Sequence, residues 1–260
     1  MTSPSPARQV ADHVRRVLGD GPFRLPGGWF HMGAVICDAS FQARTRYVST
    51  LRPRLLRLQE EWPDAVTVRG FRDRLATHDL AVAMDFRSPG KVAKAHDITD
   101  LLVAEGVDTR EDLHAWIARP AGRTALRAVK GVGPKSVDYM GNLVGRSQVA
   151  VDVHLRAFAA DAGVPQLGYG QLRAAYEEAA ALLGHEPGAL EHAVWRAGAG
   201  LDAAWAISFG SCSVEVSRGR EEGFDREVEG CRALEGDHVG RRGEPLVPGT
   251  GNGSGDGLSV

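Results

Sequence analysis

Lys135 is a charged residue at a position where a positive charge is locally unfavourable. Gly133 and Pro134 have the character of an N-cap and a first helical residue, because proline lacks a donor that the first turn could not use. Lys135 is then the second residue of the helix, where its ammonium opposes the positive end of the helix dipole. This position disfavours the charged form and lowers the pKa, so Lys135 is a candidate nucleophile. The alternative is an ordinary surface lysine with its ammonium in water.

A turn with two glycines precedes this helix. Gly131 and Gly133 permit positive φ angles and close approach of another chain, so the amides of the turn and of the helix start can bind a phosphate. No acidic residue occurs between Asp112 and Asp138, whereas arginine and lysine recur around the turn. Asp138 can pair with Lys135, which would instead hold the amine in its charged form. We predict a phosphate-binding surface made of Arg127, Lys130, Gly131, Val132, Gly133 and Ser136.

A second ionisable residue, Asp152, is predicted at the N-cap of a following helix, where backbone donors stabilise its carboxylate. The two residues can face the same cleft. From Lys135 to Gly145 the helix advances about 15 Å, and residues 146–151 can return about 20 Å when extended.

These segments together resemble a known family. Gly131-Val132-Gly133-Pro134-Lys135, followed by Val151-Asp152-Val153-His154-Leu155-Arg156, resembles the signature of the HhH-GPD superfamily of base-excision DNA glycosylases, which includes endonuclease III and the 8-oxoguanine glycosylases. The resemblance implies that Lys135 attacks C1′ of the sugar and that Asp152 is the catalytic carboxylate. Within the matched pattern, we interpret His154 as a buried orienting residue and Arg156 as a residue that binds a phosphate or an acidic side chain.

The resemblance also draws attention to Gln42, which follows a predicted core helix over residues 29–41. In the family, a polar residue at this place, often glutamine, helps to fill the gap left by an extruded base. A solvated glutamine at a helix end is the alternative interpretation.

The apolar residues recur with a helical period through most of the chain, and alternating strand patterns are rare, so the predicted class is all-α. The resemblance implies two helical lobes, a DNA-binding cleft and a helix-hairpin-helix motif, with the C-terminal helices packed on the N-terminal segment. We predict one domain over residues 1–200. Residues 201–260 are acidic and rich in glycine, and we predict that they form a disordered tail.

Composition excludes several other classes of protein. The three cysteines are scattered and show neither a disulfide framework nor zinc-ligand spacing, and the four-cysteine iron-sulfur loop of many endonuclease-III-like proteins is not present. We therefore expect no metal and no cofactor. Without a long apolar run or a secretory signal, the chain is predicted to be cytoplasmic and nucleoid-associated, with no membrane contact, and to act as a monomer.

The functional expectation is a DNA glycosylase with AP-lyase activity on double-stranded DNA that contains a damaged base. Two alternatives stay open. One is a monofunctional glycosylase in which Asp152 activates water and Lys135 is incidental. The other is a non-catalytic helix-hairpin-helix protein that binds DNA for a partner.

Overall fold

The computed structural model describes residues 4–201, which form α-helices and no strand, so the all-α prediction is confirmed for this part of the chain. Residues 1–3 and nearly all of the predicted tail, from residue 202 onward, lie outside the described residues. A π-helical turn, Tyr47–Leu51, precedes α3, and a 3-10 turn, Pro63–Val66, follows it. The α-helices are α1 (Pro6–Leu18), α2 (Met32–Phe41), α3 (Arg52–Glu61), α4 (Val68–Thr77), α5 (Leu80–Ala83), α6 (Pro89–Ala104), α7 (Arg110–Trp116), α8 (Pro120–Ala128), α9 (Pro134–Leu143), α10 (Val153–Asp161), α11 (Tyr169–Leu183) and α12 (Pro187–Gly198).

Local capping signals fix the helix ends. The Ser5 side chain accepts a hydrogen bond from the Arg8 amide and begins α1, as expected for an N-cap serine. The predicted core helix over residues 29–41 begins three residues later than expected, because His31 is the N-cap of α2 and its Nδ1 accepts from the Ala34 amide at 3.1 Å. Within residues 4–201, no helix is long and apolar enough to cross a membrane.

The helices enclose two hydrophobic cores. The first core is formed by the middle of the chain, residues 32–144, and α2 is buried along its whole length within it. The second core is formed by α1 together with buried residues between 149 and 194, most of them in the last three helices. α1 packs mainly on α11 and also contacts α10 and α12. The N-terminal helix and the C-terminal helices therefore share one core, as the resemblance implies.

The candidate residues lie at the border between the two cores. α9 belongs to the first core, and the segment that follows it leads to α10 in the second. The rings of Tyr47 and Trp195 meet edge to face at 5.9 Å and join the first core to α12. Helix starts from both cores are thereby brought near one another.

Candidate active site

The structure places Lys135 as the second residue of α9, after Gly133 at the N-cap and Pro134 at the first position, as predicted. Its side chain is half-buried. Lys135 Nζ donates a hydrogen bond to Gln42 Oε1 at 2.8 Å and lies 4.4 Å from the centroid of the Tyr139 ring. The amine is therefore held by protein groups, and the interpretation as a fully solvated surface lysine is wrong.

Opposing effects act on the charge of this amine. Burial lowers the pKa of Lys135, while the nearby charges of Asp152, Glu191 and Asp38 act in the other direction. Burial is the larger effect, so the pKa is lower than that of an exposed lysine. The site thus favours the uncharged, nucleophilic form of the amine more than water does.

Asp152 is the N-cap of α10, as predicted. Its Oδ1 accepts hydrogen bonds from the amides of His154 at 2.9 Å and Leu155 at 3.1 Å. Its Oδ2 accepts no hydrogen bond from any of the residues that the structure describes. One oxygen is therefore fixed by the helix, and the other is available to a ligand. The carboxylate raises the pKa of Lys135, which indicates that the two groups lie near one another, although no hydrogen bond or ion pair joins them within residues 4–201.

Asp38, a fully buried carboxyl group in α2, was not among the residues predicted from the sequence. Asp38 Oδ2 accepts from Trp29 Nε1 at 2.7 Å and from the Tyr47 hydroxyl at 3.1 Å, and Oδ1 accepts from the Tyr139 hydroxyl at 2.9 Å. Burial raises the pKa of Asp38 to about 6, although these hydrogen bonds and Lys135 act against the rise. Asp38 holds Tyr139 in place, and the Tyr139 ring in turn supports the amine. A lone acid within an apolar helix was the available signal.

Glu191 in α12 was also missed. Its side chain is 7% exposed, and no side-chain hydrogen bond or ion pair joins it to another residue within residues 4–201. Burial raises the pKa of Glu191 to about 8, with Asp152 and Asp138 acting in the same direction and Lys135 against it. Nothing in the sequence distinguishes Glu191 from an ordinary helical glutamate.

A second buried amine lies near the turn. Lys94 in α6 is 7% exposed, and burial lowers its pKa to about 8, with the charges of Lys91 and Lys135 acting in the same direction. A Cβ atom placed on Gly131 would lie 3.7 Å from Lys94 Cδ, so this side chain runs beneath the turn.

Only one of the two turn glycines has a conformation that requires glycine. Gly131 has a φ of 81°, in the left-handed region that side chains disfavour. Gly133 has a φ of −100° in extended backbone, and a Cβ there would meet nothing within 4 Å. Gly131 therefore shapes the turn, whereas Gly133 leaves open space at the start of α9.

The turn presents several unpaired donors. The amides of Gly131, Gly133, Lys135 and Ser136 make no hydrogen bond within the described part of the chain. Val132 differs, because its amide donates to the Val129 carbonyl at 3.0 Å and its side chain is buried in the first core. Of the predicted DNA-binding residues, Arg127, Lys130 and Gly131 are exposed, Gly133 and Ser136 are half-buried, and Val132 is buried.

The end of α2 that carries Gln42 is held by Lys91. Lys91 Nζ donates hydrogen bonds at 2.7 Å to the carbonyls of Phe41 and Ala43 and to Thr45 Oγ1. Gln42 is half-buried, and its side-chain oxygen is bound to Lys135. The interpretation of Gln42 as a solvated glutamine at a helix end is therefore wrong.

Asp138 does not pair with Lys135, so that alternative is also wrong. Its buried carboxylate accepts from Arg123, lies 3.4 Å from an Arg173 nitrogen and accepts from the Tyr169 hydroxyl at 2.6 Å. Asp138 binds these partners and not Lys135 because they already surround both of its carboxylate oxygens. The group lines a cavity of about 530 Å³ that neither Lys135 nor Asp152 lines.

The two residues beside Asp152 have different surroundings. His154 is half-buried, and its ring lies so close to Gly198 of α12 that a Cβ there would be 2.9 Å from the ring. Arg156 is exposed and donates to the Leu167 carbonyl at 3.2 Å, with no acidic partner among the described residues. Its predicted contact with a phosphate stays a prediction.

Comparison of the chain with models of protein families, with curated proteins and with solved structures found no match.

Proposed function

We propose that this protein is a base-excision DNA glycosylase with AP-lyase activity, acting on double-stranded DNA that contains a damaged base. One observation carries the proposal: the amine of Lys135 is half-buried, bound to Gln42 and within the field of the Asp152 carboxylate. A primary amine whose pKa is lowered by burial provides more nucleophile near neutral pH than an exposed lysine does.

Binding of the strand is assigned to the helix-hairpin-helix made of α8, the turn and α9. The unpaired amides of Gly131, Gly133 and Ser136 support this role, because free donors at a helix start bind phosphate oxygens. Arg127 and Lys130 add positive charge at the exposed side of the turn. Such contacts contribute affinity without reading base sequence.

Access to the damaged nucleotide requires that it leave the base stack, which costs less when the base pairs or stacks poorly. Gln42 supports this step by its position, because it lies within hydrogen-bonding distance of Lys135. A glutamine that fills the gap would then stand beside the attacking amine.

Lys135 at the start of α9 and Asp152 at the start of α10 are the residues that carry out the proposed reaction. The free amine of Lys135 attacks C1′ of the deoxyribose, and the bond from C1′ to the base breaks with its electron pair leaving on the base. Asp152 Oδ2, which has no other hydrogen-bond partner among the described residues, stabilises the positive charge that develops on the sugar. The new C1′ ammonium gives a proton to the ring oxygen O4′, the bond from C1′ to O4′ breaks with its electron pair on O4′, and a Schiff base forms between C1′ and the lysine nitrogen. Loss of a C2′ proton then expels the 3′ phosphate by β-elimination and breaks the strand.

The test uses duplexes that each carry one lesion: uracil, thymine glycol, 8-oxoguanine or an alkylated purine. The proposal predicts base release, a nick at the lesion and a covalent adduct after borohydride reduction for at least one of them. Release of the base with an intact abasic site and no adduct would indicate a monofunctional glycosylase. Binding without base release would indicate a DNA-binding module, and either result would contradict the lyase assignment.

A further inference from the structure

A cavity of about 530 Å³ lies beside Asp138, and Lys135 does not line it. α9 contributes Pro134 and Asp138, which lie one turn apart on a face of the helix that does not include Lys135. α8 and α11 add polar side chains to the lining: Arg123, Thr124, Arg127, Tyr169 and Arg173. α9 therefore supplies residues to two separate places, the site of the candidate nucleophile and this cavity.

The acidic group of the cavity is already bound. Asp138 is fully buried, and its Oδ1 accepts from Arg123 and lies 3.4 Å from an Arg173 nitrogen. Its Oδ2 accepts from the Tyr169 hydroxyl at 2.6 Å. Arg173 is engaged as well, because another of its nitrogens donates to Glu177 at 2.8 Å. Both oxygens of Asp138 are thus in use, and the described residues that line the cavity include no other acid.

The remaining polar groups of the lining can donate and lack an acceptor. The side chains of Arg127 and Thr124 make no hydrogen bond or ion pair with any residue between 4 and 201, and Arg123 uses one of its nitrogens. The Gly170 amide, at the second position of α11, is also unpaired in this range, and a Cβ there would meet nothing within 4 Å. A ligand that fits this cavity must therefore supply acceptors.

The charges of the lining favour an anion. Arg123 and Arg127 are one turn apart on α8, a spacing at which like charges repel and destabilise a helix. Asp138 neutralises Arg123, but Arg127 has no acidic partner within the described residues. A phosphate group matches both needs, because a guanidinium can donate two parallel hydrogen bonds to its oxygens.

The place of the cavity in the fold favours a phosphate of DNA. Arg127 and Pro134 flank the turn between α8 and α9, and both line the cavity. The cavity is therefore next to the free amides of Gly131 and Gly133, to which the strand is assigned. A strand with one phosphate at those amides can place another phosphate in the cavity.

We propose that this cavity is a second phosphate-binding site for the DNA strand, an inference that rests on the DNA binding within the proposed function. Arg127, the free nitrogens of Arg123, the Thr124 hydroxyl and the Gly170 amide are its donors. Asp138 binds no DNA and holds Arg123 in place. Two bound phosphates fix the direction of the strand across α9, which a single contact at the turn does not.

The first test places a carboxylate in the cavity. Thr124 is exposed, and in Thr124→Glu the new acid can reach Arg127 one turn away and take the place of the phosphate. The slope of log affinity for duplex DNA against log salt concentration should fall by about 1. Thr124→Gln should keep the wild-type slope, as should Ala121→Glu, which adds the same charge to α8 outside the lining. An equal slope in Thr124→Glu and Thr124→Gln would overturn the proposal.

The second test fills the cavity without changing the charge. Gly170→Phe projects a ring into the open space above the start of α11, so it should also lower the slope by about 1. Ala174→Phe adds the same ring at an exposed position of α11 outside the lining and should bind DNA as wild type does. Urea unfolding confirms that both variants are folded. A wild-type slope in folded Gly170→Phe would contradict the proposal.

A third test uses inorganic phosphate and the intact protein without DNA. Phenylglyoxal modifies free arginines, and mass spectrometry of the peptides gives the rate at each position. Inorganic phosphate should slow the modification of Arg127 and leave the rate at Arg119, which is exposed at the start of α8 outside the lining, unchanged. Equal rates at Arg127 with and without phosphate would contradict an anion site.

These outcomes separate this inference from the proposed chemistry. If wild type released no base from any lesion while the salt slopes changed as described, the glycosylase assignment would fall and the second phosphate site would stand. If phosphate protected Arg127 but every variant kept the wild-type slope, the ligand would be a free anion, and the assignment to DNA would be overturned.

Discussion

The side-chain amide of Gln42 accepts a hydrogen bond from Lys135 Nζ at 2.8 Å, although 93 residues separate them in the chain. The partner is a neutral amide and not a carboxylate. The hydrogen bond therefore orients the amine without supplying the negative charge that would stabilise the ammonium. The end of α2 is held in place by Lys91, so Gln42 is presented on a fixed support.

Changing the Gln42 amide to a carboxylate should make Lys135 a weaker nucleophile at neutral pH. In Gln42→Glu, an opposite charge within hydrogen-bonding distance should raise the pKa of Lys135 by about 1–3 units. The pH at which adduct formation on abasic DNA reaches half its maximum should rise by the same amount. Glu61→Gln, a change at an exposed position in α3, provides the control and should not alter the profile. An unchanged profile in Gln42→Glu would show that this contact does not govern the amine.

The two glycines of the turn should respond differently to substitution by alanine. Gly131 has a φ of 81°, so Gly131→Ala should lower the free energy of unfolding by about 1 kcal/mol. Gly133→Ala should leave stability nearly unchanged, because its backbone is extended and its Cβ would enter open space. Urea unfolding of both variants measures this difference, and equal losses would contradict the described turn.

The same glycine pair tests the DNA surface. If a phosphate approaches the free amides at the start of α9, the methyl group of Gly133→Ala should weaken DNA binding while stability is kept. Lys130→Gln should reduce the slope of log affinity against log salt concentration by about 1, the effect of losing one phosphate contact. Fluorescence anisotropy over a salt series measures both effects. If both variants kept the wild-type affinity and salt dependence, the DNA strand would not bind at this turn.

Asp138 should be important for stability and not for nucleophilicity. Its carboxylate is fully buried between Arg123 and Arg173, so Asp138→Ala leaves two arginines without their common partner. Removing one member of a buried ion pair typically costs about 3–5 kcal/mol. Asp12→Ala, which breaks an exposed pair with Arg15, should cost less than about 1 kcal/mol. Urea unfolding gives both values, and similar losses would contradict a structural role for Asp138.

Glu191 should make the free energy of unfolding depend on pH. The pKa of Glu191 is raised from 4.5 to about 8, so between these values the folded protein binds more protons than the unfolded chain. The free energy of unfolding must therefore fall as pH rises through this window. Asp38, with a pKa of about 6, adds to the fall only at the lower end.

Urea unfolding at pH 6 and pH 8.5 tests this linkage. Relative to wild type, Glu191→Gln should become more stable by at least about 1 kcal/mol between the two pH values, since one pKa unit corresponds to about 1.4 kcal/mol. A constant difference between the two proteins would mean that Glu191 ionises as an exposed glutamate does.

The sequence predicted features that depend on neighbouring residues. Gly133 and Pro134 begin α9, and Asp152 caps α10, because caps are set by the chemistry of a few adjacent residues. The Gly131 turn was predicted on the same basis. These local features place the candidate nucleophile and the candidate carboxylate at helix starts.

Contacts between segments that are distant in the chain could not be predicted from the sequence. Whether Lys135 would pair with Asp138 or with Gln42 depends on where α2 and α11 pack, and helical periodicity gives no such partners. Glu191 was missed for the same reason, because its burial results from packing of α12 on α10 and α11. Asp38 was also missed, although a carboxylate within the apolar run of α2 indicates a buried polar contact.

The central claim is that Lys135 forms the covalent bond to DNA. Lys94 is a second buried lysine, so it must be excluded as the nucleophile. Trypsin cannot cleave after a modified lysine, so an adduct at Lys135 leaves the peptide 131–146 uncut, whereas an adduct at Lys94 leaves 92–110 uncut.

Mass spectrometry of the borohydride-reduced adduct identifies the peptide directly. We predict the DNA remnant on peptide 131–146, loss of the adduct in Lys135→Gln with DNA binding kept, and a normal adduct in Lys130→Gln. A remnant on peptide 92–110, or an adduct that persists in Lys135→Gln, would contradict the account.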